Sequence, residues 1–201
     1  MTKVRVSVSD RTTAQSASNF PYLTRAEFSD ACQSFLPRLH ASGITSRPIL
    51  STDKDLFDGI EITTAREQDD FTVISKVFIL LSPIYSLPVL YFSSAYTSLH
   101  TGESTPITLL EDVYKYIITS PWQASILKEP TMPILSGIGA ISQCEHPLYH
   151  GLLCFYIHPC HTGDVMNTLN QDPEMQDITL MSYLTLWIGV VGPAIGIAIS
   201  G

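Results

Sequence analysis

The chain has 201 residues, of which 45% are apolar and 15% charged, so disordered, fibrous and collagen-like classes are excluded and one domain with its own core is expected. Lys and Arg number 11 against 19 Asp and Glu, a net charge of -8, and the only bases after residue 76 are Lys115 and Lys128. Nucleic-acid binding needs clustered cations against the phosphate backbone, so we expect no nucleic-acid partner.

The first residues, 1–19, are polar and lack the apolar stretch of a signal peptide. They predict a flexible N-terminal arm, with residues 20–201 as a single domain; a transit peptide stays open as the alternative. Without a secretory leader, the four cysteines are expected to remain free thiols in a reducing compartment. The sequence therefore predicts a cytoplasmic protein.

The first helix is predicted to begin at a capping box formed by Thr24 and Glu27, whose side chains satisfy each other's backbone donors. Pro37 should kink its last turn and Gly43 should end it. An apolar stripe at three- and four-residue steps follows the cap, made of Phe28, Ala31, Cys32, Phe35, Leu36 and Leu39. Cys32 is therefore expected to be a buried, structural thiol.

The centre of the chain is rich in β-branched and aromatic residues. Residues 44–64 are interpreted as an acidic loop that passes into a short strand around Ile60. Residues 71–81 and 89–96 predict a hairpin, and Pro88 fits only the beginning of its second strand because proline lacks an amide donor.

The second half of the chain predicts, in order, a short helix over 107–117, a loop over 120–133 and another hairpin with its turn at 147–151. A helix over 162–169 should follow, with its first residue as N-cap. Cys160 would then lie between a strand end and a helix start. Strands in the centre and helices around them predict an α+β domain with a central antiparallel sheet and flanking helices.

The last 24 residues, 178–201, carry no charge. A tail anchor, which needs about 20 apolar residues, is one interpretation. Polar side chains and glycines interrupt the stretch, and no Lys or Arg flanks it. We therefore expect a buried helix over Leu180–Val190 with a docked tail, and no stable membrane insertion.

Cysteine and histidine crowd between positions 144 and 161, as Cys144, His146, His150, Cys154, His158, Cys160 and His161. Their spacings match none of the common zinc frames, so a structural zinc site stays a lesser alternative and no cofactor is predicted. In a second interpretation of the cluster, Cys160 is a nucleophilic thiol. A helix start and neighbouring His158 and His161 would stabilise its thiolate, and Pro159 would fix the path of the chain.

The segment HPLYHGLLCFYIHPCHT resembles the active-site hairpin of the autophagy-related protein ten family. LTRAEFSDACQSFL, YSLPVLYF and YLTLWIGVVGP occur in the order and at the distances typical of that family, so the resemblance extends over residues 20–195. It implies a variant of the ubiquitin-conjugating-enzyme fold. The sister family, autophagy-related protein three, also has a His-Pro-Cys motif and stays open as a second match.

The resemblance implies an enzyme that carries a ubiquitin-like modifier, autophagy protein twelve, as a thioester on Cys160. The modifier would come from the activating enzyme, autophagy protein seven, and pass to a lysine of autophagy protein five. The work would take place in the cytoplasm and transiently at the pre-autophagosomal membrane. A non-catalytic membrane-tethered adaptor and a thiol hydrolase stay open as alternatives, although adjacent His161 is badly placed to act as the base of a hydrolase.

The resemblance also implies which side chains assist the cysteine. Ordinary ubiquitin-conjugating enzymes use His-Pro-Asn, but here Leu148 follows His146-Pro147, so that asparagine is missing. The family uses instead a polar residue two before the cysteine, here His158, and a tyrosine of the central hairpin. Tyr91 is the first candidate for that tyrosine and Tyr85 the second.

No lysine occurs in the 73 residues from Glu129 to Gly201. An activated thioester reacts with any amine that reaches it. We therefore hypothesise that the lack of lysine protects the protein against self-modification, and that the acidic surroundings attract a lysine-bearing acceptor.

Overall fold

The computed structural model describes residues 16–52, 56–119, 141–171 and 178–199. Its first helix, α1, extends over Arg25–Ala41, and the predicted capping box of Thr24 and Glu27 is present. The chain leaves α1 through Ser42 and through Gly43, whose φ of 73° suits a residue without a Cβ. Of the predicted arm, residues 1–15 lie outside the described residues, while Ser16 forms a β-bridge with Thr179.

The strand pairs among the described residues are all antiparallel, in the order β1-β2-β3-β4-β7-β6, with β5 also paired to β4. The two predicted hairpins are confirmed as β3–β4 and β6–β7, and Pro88 is the first residue of its strand. The strands are β1 (Thr45–Leu50), β2 (Phe57–Glu67), β3 (Phe71–Leu81), β4 (Pro88–Ser98), β5 (Ser104–Pro106), β6 (Ile141–Glu145) and β7 (Leu153–Ile157).

The loop predicted over residues 44–64 is wrong over much of its length. Thr45–Leu50 forms the edge strand β1, and β2 already begins at Phe57. β1 lacks a clear apolar alternation and contains Pro48, and it exists because β2 offers it a free ladder of donors and acceptors.

The described residues also form four helical segments: α1, α2 (Leu110–Asp112, continued by a π-helical turn over Val113–Ile117), α3 (Thr162–Asn170) and α4 (Leu180–Val191, followed by a 3₁₀ turn). The predicted loop over 120–133 lies outside the described residues. The prediction that Thr162 is the N-cap of α3 is wrong. A 3₁₀ turn over Pro159–His161 leads straight into α3, so that Thr162 is already part of the helix. The predicted α+β class is confirmed.

The main core lies between the sheet and the helices. Residues of one sheet face, among them Ile62, Val77 and Phe92, meet Phe35 of α1 and Trp187 of α4. The predicted buried helix near the end of the chain is therefore confirmed. None of the described helices is long and apolar enough to cross a membrane.

The opposite sheet face holds a second, small cluster made of Ile49, Phe78 and Leu80, with Tyr91 and Leu152 against it. Phe78, Tyr91 and Tyr156 lie directly opposite one another on β3, β4 and β7, so their side chains share this face. The β6–β7 connection covers it in part. The hairpin that leads to Cys160 therefore packs on both faces of the sheet, with Phe155 and Ile157 in the main core and Leu152 against the small cluster.

Candidate active site

Cys160 is an exposed free thiol on the 3₁₀ turn between β7 and α3. Both sides of it are fixed: Ile157 at the end of β7 is buried, and so is Thr162 at the start of α3. The amide dipoles of α3 point their positive end at this turn, an arrangement that favours negative charge developing beside the sulfur. The predicted position of Cys160, between a strand end and a helix start, is confirmed.

His158 caps the turn that presents the thiol. Its Nδ1 accepts a hydrogen bond of 3.3 Å from the backbone N–H of Cys160. Nδ1 is therefore unprotonated in this arrangement, and the other ring nitrogen, Nε2, faces the hydroxyl of Tyr85 at 3.5 Å. His158, the polar residue two positions before the cysteine, thus contacts both the backbone of Cys160 and the side chain of Tyr85.

The two candidate tyrosines lie at different distances from this cap. The rings of Tyr85 and His158 are 5.5 Å apart between centroids. Tyr91 packs on Tyr156 at 5.7 Å, and Tyr156 packs on His158 at 5.9 Å. Tyr85 thus contacts His158 directly, whereas Tyr91 is connected to it through Tyr156. No sequence pattern gives Tyr156 a role, although alternation along β7 places its side chain on the face opposite that of Phe155.

Tyr91 is half-buried beside two thiols. Burial, and after it the neighbouring Cys144 and Cys154, raise the pKa of Tyr91 to about 12. Its hydroxyl is therefore neutral at physiological pH and available only as a hydrogen-bonding group.

The β6–β7 connection is organised around buried His146. Its Nδ1 accepts hydrogen bonds of 3.1 Å from the N–H groups of Leu148 and Tyr149, and its ring packs on Phe78 with centroids 4.4 Å apart. Burial lowers the pKa of His146, and the charge of Glu61 opposes that effect. In His146-Pro147-Leu148, the histidine thus shapes the connection.

Of the remaining cluster members, Cys144, Cys154 and His150 lie on the β6–β7 hairpin, and His161 is the last residue of the 3₁₀ turn. Cys144 and Cys154 face each other across β6 and β7, while the nearly fully exposed ring of His150 lies 3.6 Å from Glu145. In the part of the chain that the structure describes, no three His, Cys, Asp or Glu side chains come together in a way that could hold a metal ion. Within the same ranges, no histidine makes a hydrogen bond to Sγ of Cys160.

Residues 18–200 match the family described as autophagocytosis associated protein, active-site domain. This match extends over nearly the whole chain and contains the turn with Cys160. The chain belongs to this family. The sheet, its helices and the β6–β7 hairpin all lie within the residues that match this autophagocytosis-associated active-site domain.

Two curated relatives of this autophagocytosis-associated domain are each named ubiquitin-like-conjugating enzyme ATG10. The relative from Gibberella zeae is 26% identical over 153 residues, which are 74% of this chain and 57% of the relative. That from Arabidopsis thaliana is 32% identical over 123 residues, 60% of this chain and 48% of the relative. The chain spans about half the length of the curated relatives it matches.

Two solved structures share the fold. One is titled "Crystal structure of Autophagic E2, Atg10", with a TM-score of 0.54, 14% identity and coverage of 87% of this chain and 98% of that one. The other is titled "Solution structures of KmAtg10", with a TM-score of 0.51, 15% identity and coverage of 89% and 98%. The expected variant of the ubiquitin-conjugating-enzyme fold is confirmed.

Proposed function

We propose that this chain is an E2-like enzyme of autophagy that carries a ubiquitin-like modifier, autophagy protein twelve, as a thioester on Cys160. Its partners are then an E1-like activating enzyme, autophagy protein seven, and an acceptor, autophagy protein five. The family and the names of the relatives support an E2-like activity. The observation that carries the proposal is the exposed thiol of Cys160 on a capped turn at the end of β7.

The reaction has two acyl transfers. The Cys160 thiolate attacks the thioester carbonyl of the modifier's C-terminal glycine, a new C–S bond forms, the C–S bond to the activating enzyme breaks, and that enzyme's cysteine leaves as a thiolate. A lysine amine of the acceptor then attacks the Cys160 thioester, loses a proton and forms an isopeptide bond, while the Cys160 thiol leaves. Both steps pass through a tetrahedral oxyanion, which the positive end of α3 stabilises.

His158 acts as the residue that positions the thiol. Its bond to the amide of Cys160 fixes the turn, so the sulfur meets the incoming carbonyl in one orientation. For the assisting tyrosine, the contact with His158 favours Tyr85, and Tyr91 influences the site through Tyr156. We expect the enzyme to act in the cytoplasm and transiently at the pre-autophagosomal membrane.

A charging assay with activating enzyme, modifier and ATP tests the proposal. The wild-type protein should gain the modifier in a bond that reductant cleaves, and Cys160→Ser should trap it in an oxyester that resists reductant but not alkali. Cys144→Ser is the matched control, because Cys144 is a partly exposed thiol off the turn, and it should charge normally.

Other outcomes would reject the proposal. A reductant-sensitive adduct on Cys160→Ser would place the thioester on another cysteine. Release of the modifier by the wild-type protein without acceptor, abolished in Cys160→Ser, would indicate a thiol hydrolase. If the protein is not charged with autophagy protein twelve, the remaining functions are those of an enzyme of the sister family, autophagy-related protein three, or of a non-catalytic adaptor.

A further inference from the structure

Two free thiols face each other in the hairpin that leads to Cys160. Cys144 on β6 and Cys154 on β7 are direct partners in the strand register, and their Sγ atoms are 3.5 Å apart. In the same register, the N–H of His146 donates to the carbonyl of Leu152. Hydrogen-bonded pairs alternate along an antiparallel ladder, so Cys144 and Cys154 also form such a pair, with Cα atoms about 5.5 Å apart. That separation lies within the range that a disulfide spans.

The two thiols differ in access. Cys154 is fully buried, whereas Cys144 is partly exposed on β6, the last strand in the described sheet order. A small oxidant therefore reaches Cys144 first. The other two cysteines lie elsewhere in the fold, Cys32 inside the main core and Cys160 on the exposed turn.

We propose that Cys144 and Cys154 are an oxidisable dithiol pair, which a peroxide converts into an intramolecular disulfide across the β6–β7 hairpin without the participation of Cys160. The step needs no large movement, because the sulfur atoms already touch and the backbone separation fits the bond. This modification site is separate from the thioester site and does not rest on the proposed function.

The reaction takes place in two balanced steps. The peroxide oxidises the Cys144 thiol to sulfenic acid and is reduced to water. The sulfur of Cys154 then attacks the sulfenic sulfur, an S–S bond forms, and the sulfenic oxygen leaves as a second water molecule with the Cys154 proton. Burial raises the pKa of both thiols, and that of Cys154 to about 12. The pair should therefore oxidise slowly at neutral pH and faster as the pH rises.

A disulfide here would tie β6, at the end of the sheet, to β7, the strand that ends beside His158. β7 is itself paired with β4 only through Tyr156 and Phe155. The covalent link should therefore hold β6 in register and slow the local opening of the hairpin. Oxidation would then change the rigidity of the strand that leads to the exposed Cys160 turn.

The test uses the full chain with Cys160→Ser, so that the exposed thiol does not compete. After treatment with hydrogen peroxide, the intact protein should lose the mass of two hydrogen atoms and regain it with dithiothreitol. Glu-specific proteolysis cuts after Glu145 and separates Cys144 from Cys154, so the two peptides should remain joined until reduction. In the oxidised form, hydrogen exchange of the amides of Ile141–Glu145 should slow several-fold.

Cys144→Ser in the same background is the matched control and should give no joined peptides. A stable sulfinic acid on Cys144, a link from Cys154 to Cys32, or two unmodified thiols at a peroxide excess that oxidises an exposed cysteine would each overturn the proposal. Unchanged exchange of the β6 amides in the disulfide form would overturn the expected rigidity.

Discussion

The hydroxyl of Tyr85 lies 3.5 Å from Nε2 of His158, so the β3–β4 turn reaches the residue that caps the turn of Cys160. This contact connects the central hairpin to the candidate nucleophile. It also separates the two tyrosines that the sequence proposed for one role, because only Tyr85 approaches His158 directly. A Tyr85→Phe substitution removes the hydroxyl that makes this contact and keeps the aromatic ring.

Tyr85→Phe should slow discharge of the Cys160 thioester to the acceptor roughly three- to tenfold, since one hydrogen bond of about 1 kcal/mol is lost. Charging and the thermal midpoint should change little. The matched variant Tyr91→Phe should leave discharge nearly unchanged. Single-turnover discharge followed on non-reducing gels measures both rates, and the opposite ranking would assign the role to Tyr91.

His158→Ala should weaken the cap of the Cys160 turn by about 1 kcal/mol and slow charging. His158→Asn should restore most of the rate, because an Asn side chain accepts a hydrogen bond from the N–H two residues on. Initial charging rates at saturating activating enzyme compare the three proteins. If Asn is as slow as Ala, the imidazole ring itself is needed and the positioning role is wrong.

Asp164→Lys should increase self-linkage during charging, because it places an amine on an exposed position of the first turn of α3, beside the Cys160 turn. Gly163 is a poorer position, since it is buried and an added Cβ would lie 3.2 Å from Leu87. Glu67→Lys, with the same charge change at the end of β2, is the control. Equal self-linkage in the two variants would contradict the hypothesis that the lack of lysine after Lys128 protects the protein against self-modification.

Glu27→Gln should destabilise the domain at neutral pH. Burial alone would raise the pKa of Glu27, but hydrogen bonds from Ser18 and Thr24 outweigh it and lower the pKa to about 2. A depressed carboxyl pKa stabilises the fold above the unfolded value near 4.5 and loses that contribution as the pH falls towards 2. The gain at pH 7 is about 3 kcal/mol.

Urea unfolding of wild type and Glu27→Gln measures this contribution. The difference in free energy of unfolding should be largest at pH 6–7 and shrink below about pH 4. Glu111→Gln, which removes an exposed carboxylate from the first turn of α2, should show no such difference. A constant gap for Glu27→Gln at all pH values would indicate lost packing instead of lost ionic hydrogen bonds.

Local chemistry made parts of this fold predictable from the sequence. The capping box of Thr24 and Glu27 and the Pro88 start of β4 each depend on a few neighbouring residues. β1 was missed because Thr45–Leu50 becomes a strand only through its partner β2. Such long-range pairing leaves little trace in a short polar segment.

In the candidate site, too, the features set by neighbouring residues were predictable and those set by long-range contacts were not. The position of Cys160 followed from the strand before it and the helix after it. The contact of Tyr85 with His158 joins residues that are 73 positions apart, and no local pattern encodes it. The sequence predicts Thr162 as the N-cap of the following helix, but the side chain that caps here is His158, which caps the preceding 3₁₀ turn through Nδ1 and is not among the residue types preferred at N-caps.

Pro48 in β1 has a consequence for how copies of this domain meet. β1 is the first strand in the order of the described sheet, and a proline there places its missing N–H on the side away from β2. A strand from another molecule that approached this side would find an interrupted row of donors. The proline thus discourages edge-to-edge aggregation while the protein is concentrated, and leaves association to side-chain surfaces.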